Sequence, residues 1–182
     1  MTRAAGRGAA ILAIAQVAAV LAQAPDFSGT WKLDPDRSRV TPPVALAGLV
    51  ASGAPPTLHI TQPANGTLIV ESQINESHSR VYVPGVTRTT PVTVGPPGSV
   101  TTTSRWERGA LVSEGSRETS SGTSTVVTAI TERFRLSADG RTLVIEVTAT
   151  LDGATSASSM VYTRTQDVGP CQSWPTPCKP FS

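Results

Sequence analysis

Thr142-Leu143-Val144-Ile145-Glu146-Val147-Thr148-Ala149-Thr150-Leu151 is the stretch that decides the fold class. Leu143, Ile145, Val147, Ala149 and Leu151 share one face, and Thr142, Glu146, Thr148 and Thr150 share the other. That is the two-residue period of a strand with one buried side. Ser137-Ala138-Asp139-Gly140 precedes it and Asp152-Gly153 follows it, both turn-forming clusters. Upstream, residues 123–136 place Val126, Ile130, Phe134 and Leu136 on one face. Downstream, residues 157–165 do the same with Met160, Tyr162 and Arg164. The spacing predicts three consecutive antiparallel strands.

Working outward, Leu58 and Ile60, then Leu68, Val70 and Ile74, alternate with polar neighbours around an Asn65-Gly66 turn and predict another hairpin. Segments 30–33, 79–83, 100–107 and 110–119 complete the strand candidates, the last two separated by Arg108-Gly109. Hairpin-linked strands without helical crossovers predict an all-β fold, an antiparallel up-and-down barrel of about eight strands, with a two-layer sandwich as the alternative. A barrel removes the edges that so many Thr- and Val-rich strands would otherwise expose. Composition agrees: the 182 residues include 15 Gly and 15 Pro, with 15% charged and 4% aromatic residues, a balance that disfavours long helices. Residues 40–56, with Val44, Leu46, Leu49 and Val50 between two proline pairs, fit either one or two helical turns over a barrel end or a covering loop. Residues 85–98, broken by Pro91, Pro96 and Pro97, read as a mobile surface loop.

The first 22 residues carry Arg3 and Arg7 followed by an apolar run interrupted only by Gln16, the build of a secretory signal peptide. Cleavage is expected after Ala22, with Ala24 as the alternative. The domains expected are a signal peptide (1–22), a barrel (23–165) and a tail (166–182). Loss of the leader removes two of the 15 basic residues and leaves them equal to the 13 acidic ones, so net charge steers neither nucleic acid nor an anionic membrane. The expected location is periplasmic or extracellular. In such a compartment Cys171 and Cys178 are expected to form a local disulfide, worth about 2.5 kcal/mol of unfolded-chain entropy. The spacing of the two cysteines and the lack of histidines near them do not fit a metal or redox pair.

Asp26-Phe27-Ser28-Gly29-Thr30-Trp31-Lys32-Leu33-Asp34-Pro35-Asp36-Arg37-Ser38 resembles the opening of secreted bacterial lipocalin-like proteins. Ser104-Arg105-Trp106-Glu107, the run Thr131 through Leu143 with its Ser-Ala-Asp-Gly turn, and Val161-Tyr162-Thr163-Arg164 continue that resemblance in order. In the wider lipocalin and fatty-acid-binding group, a Gly-x-Trp near the start meets a basic residue near the end of the last strand. The resemblance therefore implies structural roles for Gly29, Trp31 and Arg164, with the guanidinium stacked on the indole.

No nucleophile elbow, phosphate loop, HExxH or dinucleotide fingerprint occurs, so no enzyme activity, cofactor or metal is expected. His59, opposite Leu58 and Ile60, is expected on a solvated face, and His78 lies in a different segment. More informative is the polarity of the inner faces. Thr128 and Glu132 fall in line with Ile130 and Phe134, and an unpaired buried carboxylate costs several kcal/mol. Glu132 therefore either meets an arginine at the closed end or lines a wet cavity. Trp106, Thr128, Glu132, Met160 and Tyr162 are the candidate cavity residues, with core membership open for each. Two functions follow from these features: a module that binds a small apolar or amphipathic ligand, and an interaction or inhibitor protein with a filled barrel. The second would contact a protein partner through its loops and the Cys171–Cys178 segment, with Trp174 as an anchor.

Overall fold

Alternation of apolar and polar residues builds ten strands in the computed structural model, which describes residues 24–41, 54–73, 77–92 and 96–166. They are β1 (Gly29–Leu33), β2 (Thr57–Thr61), β3 (Leu68–Gln73), β4 (Ser77–Tyr82), β5 (Thr87–Val92), β6 (Gly98–Glu107), β7 (Ala110–Ser121), β8 (Ser124–Leu136), β9 (Thr142–Leu151) and β10 (Ala154–Thr165). All neighbours pair antiparallel in one sheet, ordered β4-β3-β2-β1-β10-β9-β8-β7-β6-β5. The outermost strands, β4 and β5, are consecutive in the chain, so the sheet rolls into a nearly closed up-and-down barrel. At their turn Gly85 N–H donates to the Ser104 carbonyl at 2.8 Å, tying the seam to β6. Among the described residues there is no helix. The stretches expected as signal peptide, lid or covering loop (42–53), Ile74 and the Cys171–Cys178 disulfide with Trp174 lie outside the described residues.

The barrel has ten strands rather than about eight, and a segment read from sequence as loop accounts for the difference from the nine candidate segments. Within 85–98, β5 pairs with β6 in the register Thr87↔Thr103 to Val92↔Gly98. Pro91 argues against a central strand because it has no N–H to give to a ladder, but β5 has only one paired side, where proline is tolerated. Thr87 and Thr89 hydroxyls meet those of Thr103 and Thr101 at 2.7 and 2.8 Å on its outer surface.

The decisive stretch behaves as its period requires: Leu143, Ile145, Val147 and Ala149 are buried, and their neighbours are half-buried or exposed. Hairpins follow the turn chemistry. Asp152-Gly153 and Arg108-Gly109 each place both residues at positive φ (50° and 80°, 50° and 77°), the geometry that suits the twist of a two-residue hairpin. In β7 Gly115 lies so close to β6 that a Cβ there would sit 1.9 Å from the Thr101 carbonyl oxygen, so only glycine lets the strands approach at this bend.

An up-and-down barrel has two chemically different ends. One holds the chain segment before β1, the 65–66, 108–109 and 137–140 turns and the end of β10. Here Phe27, Trp31, Leu111, Phe134 and Leu143 are fully buried, and the Trp31 indole N–H donates to the Phe27 carbonyl at 3.0 Å. The other end holds the 122–123 and 152–153 turns. Arg108, at φ 50° in the closed-end turn, carries a cost, since a non-glycine residue in the left-handed region is strained by about 1 kcal/mol. Arg108→Asn should raise stability by about 0.5–1 kcal/mol in urea unfolding, because asparagine tolerates that conformation; an unchanged midpoint would mean that the turn carries no strain.

Candidate functional site

Inside the barrel, alternation sets which side chains face the lumen, and register stacks them. Ser104 of β6 is opposite Ser113 of β7, and Ser113 is opposite Glu132 of β8. The Ser104 hydroxyl donates to Ser113 Oγ at 3.1 Å. Glu132 is fully buried, and Arg80, from β4 across the lumen, donates from Nη1 to its Oε1 at 2.5 Å. The Arg80 guanidinium also lies 4.8 Å from the centroid of the Tyr82 ring, which packs edge-on against Phe134 at 5.1 Å. Burial disfavours charge on Arg80, but the Glu132 carboxylate offsets this and holds its pKa above the ordinary value. Burial, reinforced by Glu132 and opposed by Arg80, pushes the Tyr82 phenol well up, so it stays neutral. Of the two outcomes open for Glu132, the barrel adopts the ion pair.

The five cavity candidates share the inner face but do not form one cluster. Met160 and Tyr162 are fully buried side by side on β10, and the Tyr162 hydroxyl donates to the Pro55 carbonyl at 3.1 Å. Burial raises the Tyr162 pKa far beyond the ordinary phenol value. Trp106 sits at the closed end, its ring 5.8 Å from that of Phe27. Thr128 lies at the opposite end, half-buried. Arg164 lies over the Trp31 ring at 4.7 Å and donates from Nη2 to the Asp26 carbonyl at 3.2 Å, a stack worth about 0.5–2 kcal/mol. A polar depression of about 420 Å³ beside Asp26, Ser28, Gln62 and Gly66 is outside the barrel and touches none of the five candidates.

His59 departs from expectation. It points to the outer face, as its alternation with Leu58 and Ile60 requires, but is only 5% exposed. Thr30 and Glu71, also buried, are its cross-strand partners on either side, and its Nδ1 lies 3.3 Å from Thr30 Oγ1. Period two separates the faces of a strand but does not say which one is covered. Burial lowers the His59 pKa. The side chain of His78 is outside the described residues, and among those described no group of three or more His, Cys, Asp or Glu is arranged to hold a metal.

We call the end bounded by the 122–123 and 152–153 turns the open end, because described inward-facing residues there are partly exposed. Val126 and Leu151 lie on the inner alternation of β8 and β9, yet are 38% and 39% exposed. Arg117 of β7 stands between Val100 and Thr128 in register and shares their inward face. Sequence reasoning missed Arg80, Tyr82 and Arg117. The alternation Leu111, Ser113, Gly115, Arg117 held the signal for the last, whereas nothing in the sequence 79–83 told which face of that short strand turns inward.

No family model and no curated protein matches the chain. Its fold is similar to that of a solved structure, the REP1-NXSQ fatty acid transporter, at a TM-score of 0.51 and 14% identity, covering 76% of this chain and 96% of that one. At that identity the likeness establishes the barrel architecture and nothing finer.

Two expectations follow. Glu132→Ala should cost about 3–5 kcal/mol because it removes the carboxylate that neutralises Arg80 in the core, while the double replacement Glu132→Leu with Arg80→Met should recover most of that loss; equal losses in urea melts would mean that the pair is not the energetic unit. His59, with its pKa lowered in the folded state, binds its proton more readily when unfolded, so its contribution is intact above the unfolded value and is lost as pH falls from about 6.5 towards the folded pKa. His59→Gln should flatten the decline in stability between about pH 7 and pH 5, measured by unfolding at each pH.

Proposed function

We propose that the chain is an exported binding protein, and not an enzyme, whose barrel takes a small apolar or amphipathic molecule through the end bounded by the 122–123 and 152–153 turns. The observation that carries this reading is the contrast between the two ends. The closed end is filled by aromatic and aliphatic side chains, whereas at the other end inward-facing Val126 and Leu151 remain more than a third exposed. Girth supports it as well: an eight-stranded barrel is just filled by its own side chains, and ten strands enclose more space. Around the lumen, Thr102, Ser104, Ser113, Gly115, Ala149 and Ser158 are small. The fatty acid transporter of similar fold is consistent with an amphipathic ligand. The leader-like first 22 residues support export to the periplasm or beyond.

A second reading, an interaction or inhibitor protein with a filled barrel, draws on the complete burial of Glu132, Ser113 and Phe134 in the closed half. It would act through residues 169–182 and the loops, and deleting 169–182 would then abolish partner binding.

Native mass spectrometry of the protein purified without detergent should show an added mass that disappears on denaturation. Val126→Asp and Leu151→Asp should each weaken uptake of an apolar dye by about tenfold through loss of apolar contact and desolvation of the new carboxylate, with little change in stability because both positions are already exposed. No added mass, together with no dye uptake by the unaltered protein, would overturn the ligand-binding reading.

A further inference from the structure

Three described arginines lie on the inward alternation of their strands, and they are not equivalent. Arg80 is neutralised by Glu132, and Arg164 is held on Trp31 and the Asp26 carbonyl. Arg117 has no carboxylate partner among the described residues, and its Nε is buried without a hydrogen-bond acceptor. Its register partners Val100 and Thr128 put the guanidinium on the inner face towards the open end. The exposed apolar side chain of Val126, two residues before Thr128 on the same face, and that of Leu151 on β9 flank this position. An arginine left in apolar surroundings without an anion keeps its desolvation cost uncompensated, and burial is the sole cause lowering its pKa. A planar fork of donors beside a hydroxyl is complementary to a carboxylate or a similar oxyanion.

We infer that Arg117, assisted by the Thr128 hydroxyl, receives the anionic head of an amphiphile whose apolar tail lies in the barrel, so that the ligand sits with its head at the open end. This rests on the ligand-binding reading above and gives it a charge class and a direction. The deep Arg80 takes no part in head recognition, since Glu132 already supplies its counter-charge, and an added carboxylate there would face Glu132 across the same guanidinium. The tail points towards Ile130, Val147 and Met160, which are buried and apolar.

Displacement of Nile red, a neutral dye, from the full chain by palmitate and by 1-hexadecanol separates head from tail at equal chain length. The unaltered protein should prefer palmitate by about tenfold at low salt, the size expected of one charge-assisted hydrogen-bonded contact that is partly open to water. Arg117→Gln should abolish that preference, weakening palmitate binding far more than hexadecanol binding. Arg117→Lys should keep part of it, and Thr128→Val should reduce it less than Arg117→Gln does. Since Arg117 has no carboxylate partner among the described residues, its variants should melt like the parent, and a shared melting temperature excludes unfolding as the cause. An unchanged palmitate-to-hexadecanol ratio in Arg117→Gln would overturn the inference and leave the ligand-binding reading standing. If the parent binds neither amphiphile nor dye, the ligand-binding reading falls, and the inference with it.

Discussion

Glu132 belongs to β8 and Arg80 to β4, and in the unrolled sheet these strands lie far apart, with β4 at one free edge. Their ion pair exists only when the sheet curls and brings that edge across the lumen. Each partner alone would be a buried charge costing several kcal/mol, so the pair couples closure of the barrel to the satisfaction of its core. Tyr82 and Phe134 extend the same link, one ring from each strand, meeting edge to face. The seam between β4 and β5 needs no continuous ladder, because the crossing is made by side chains inside the barrel and by the Gly85 N–H on Ser104 outside it.

The ion pair also divides the barrel along its axis. Towards the 108–109 and 137–140 turns, Trp31, Leu111, Phe134 and Leu143 leave no room, and Arg164 over Trp31 closes the floor. Towards the 122–123 and 152–153 turns the lining changes to Thr128, Ser156, Leu151 and Arg117, smaller or less buried. A floor that is packed and charge-neutral, beneath a mouth of mixed polarity that carries Arg117 without a carboxylate partner among the described residues, gives the interior a polarity. On the outside, Arg105 with Glu114 and Glu107, and Arg135 with Glu146, form exposed pairs at 2.5–3.2 Å that contribute little stability. The energetics of the domain therefore lie within the barrel.

Much of this was legible in the chain. Strands β6 to β10 were readable because their apolar residues recur every second position and their turns at 108–109, 137–140 and 152–153 carry Gly with Arg or Asp, two independent local signals that agree. Strand β5 was not, because proline suppresses the strand signal, and its tolerance depends on lying at a sheet edge, a property of the assembled sheet. Glu132 announced itself as an inward carboxylate in need of a partner, yet the partner was hidden: Arg80 is 52 residues away in the chain, and a six-residue strand with few apolar residues does not declare its inner face. His59 shows the converse error, since its polar face was identified correctly but is covered rather than solvated.

By itself the sequence determined the all-β class, the antiparallel hairpin order and the inward set of the long strands, because these follow from the two-residue side-chain period and from turn chemistry, both local to a few residues. Only the tertiary structure decided the strand count, the pairing of Glu132 with Arg80, the burial of His59 and the place of Arg117 near the open end. Those depend on which side chains meet after the sheet has curled, and curling brings together strands whose sequence separation no local pattern records.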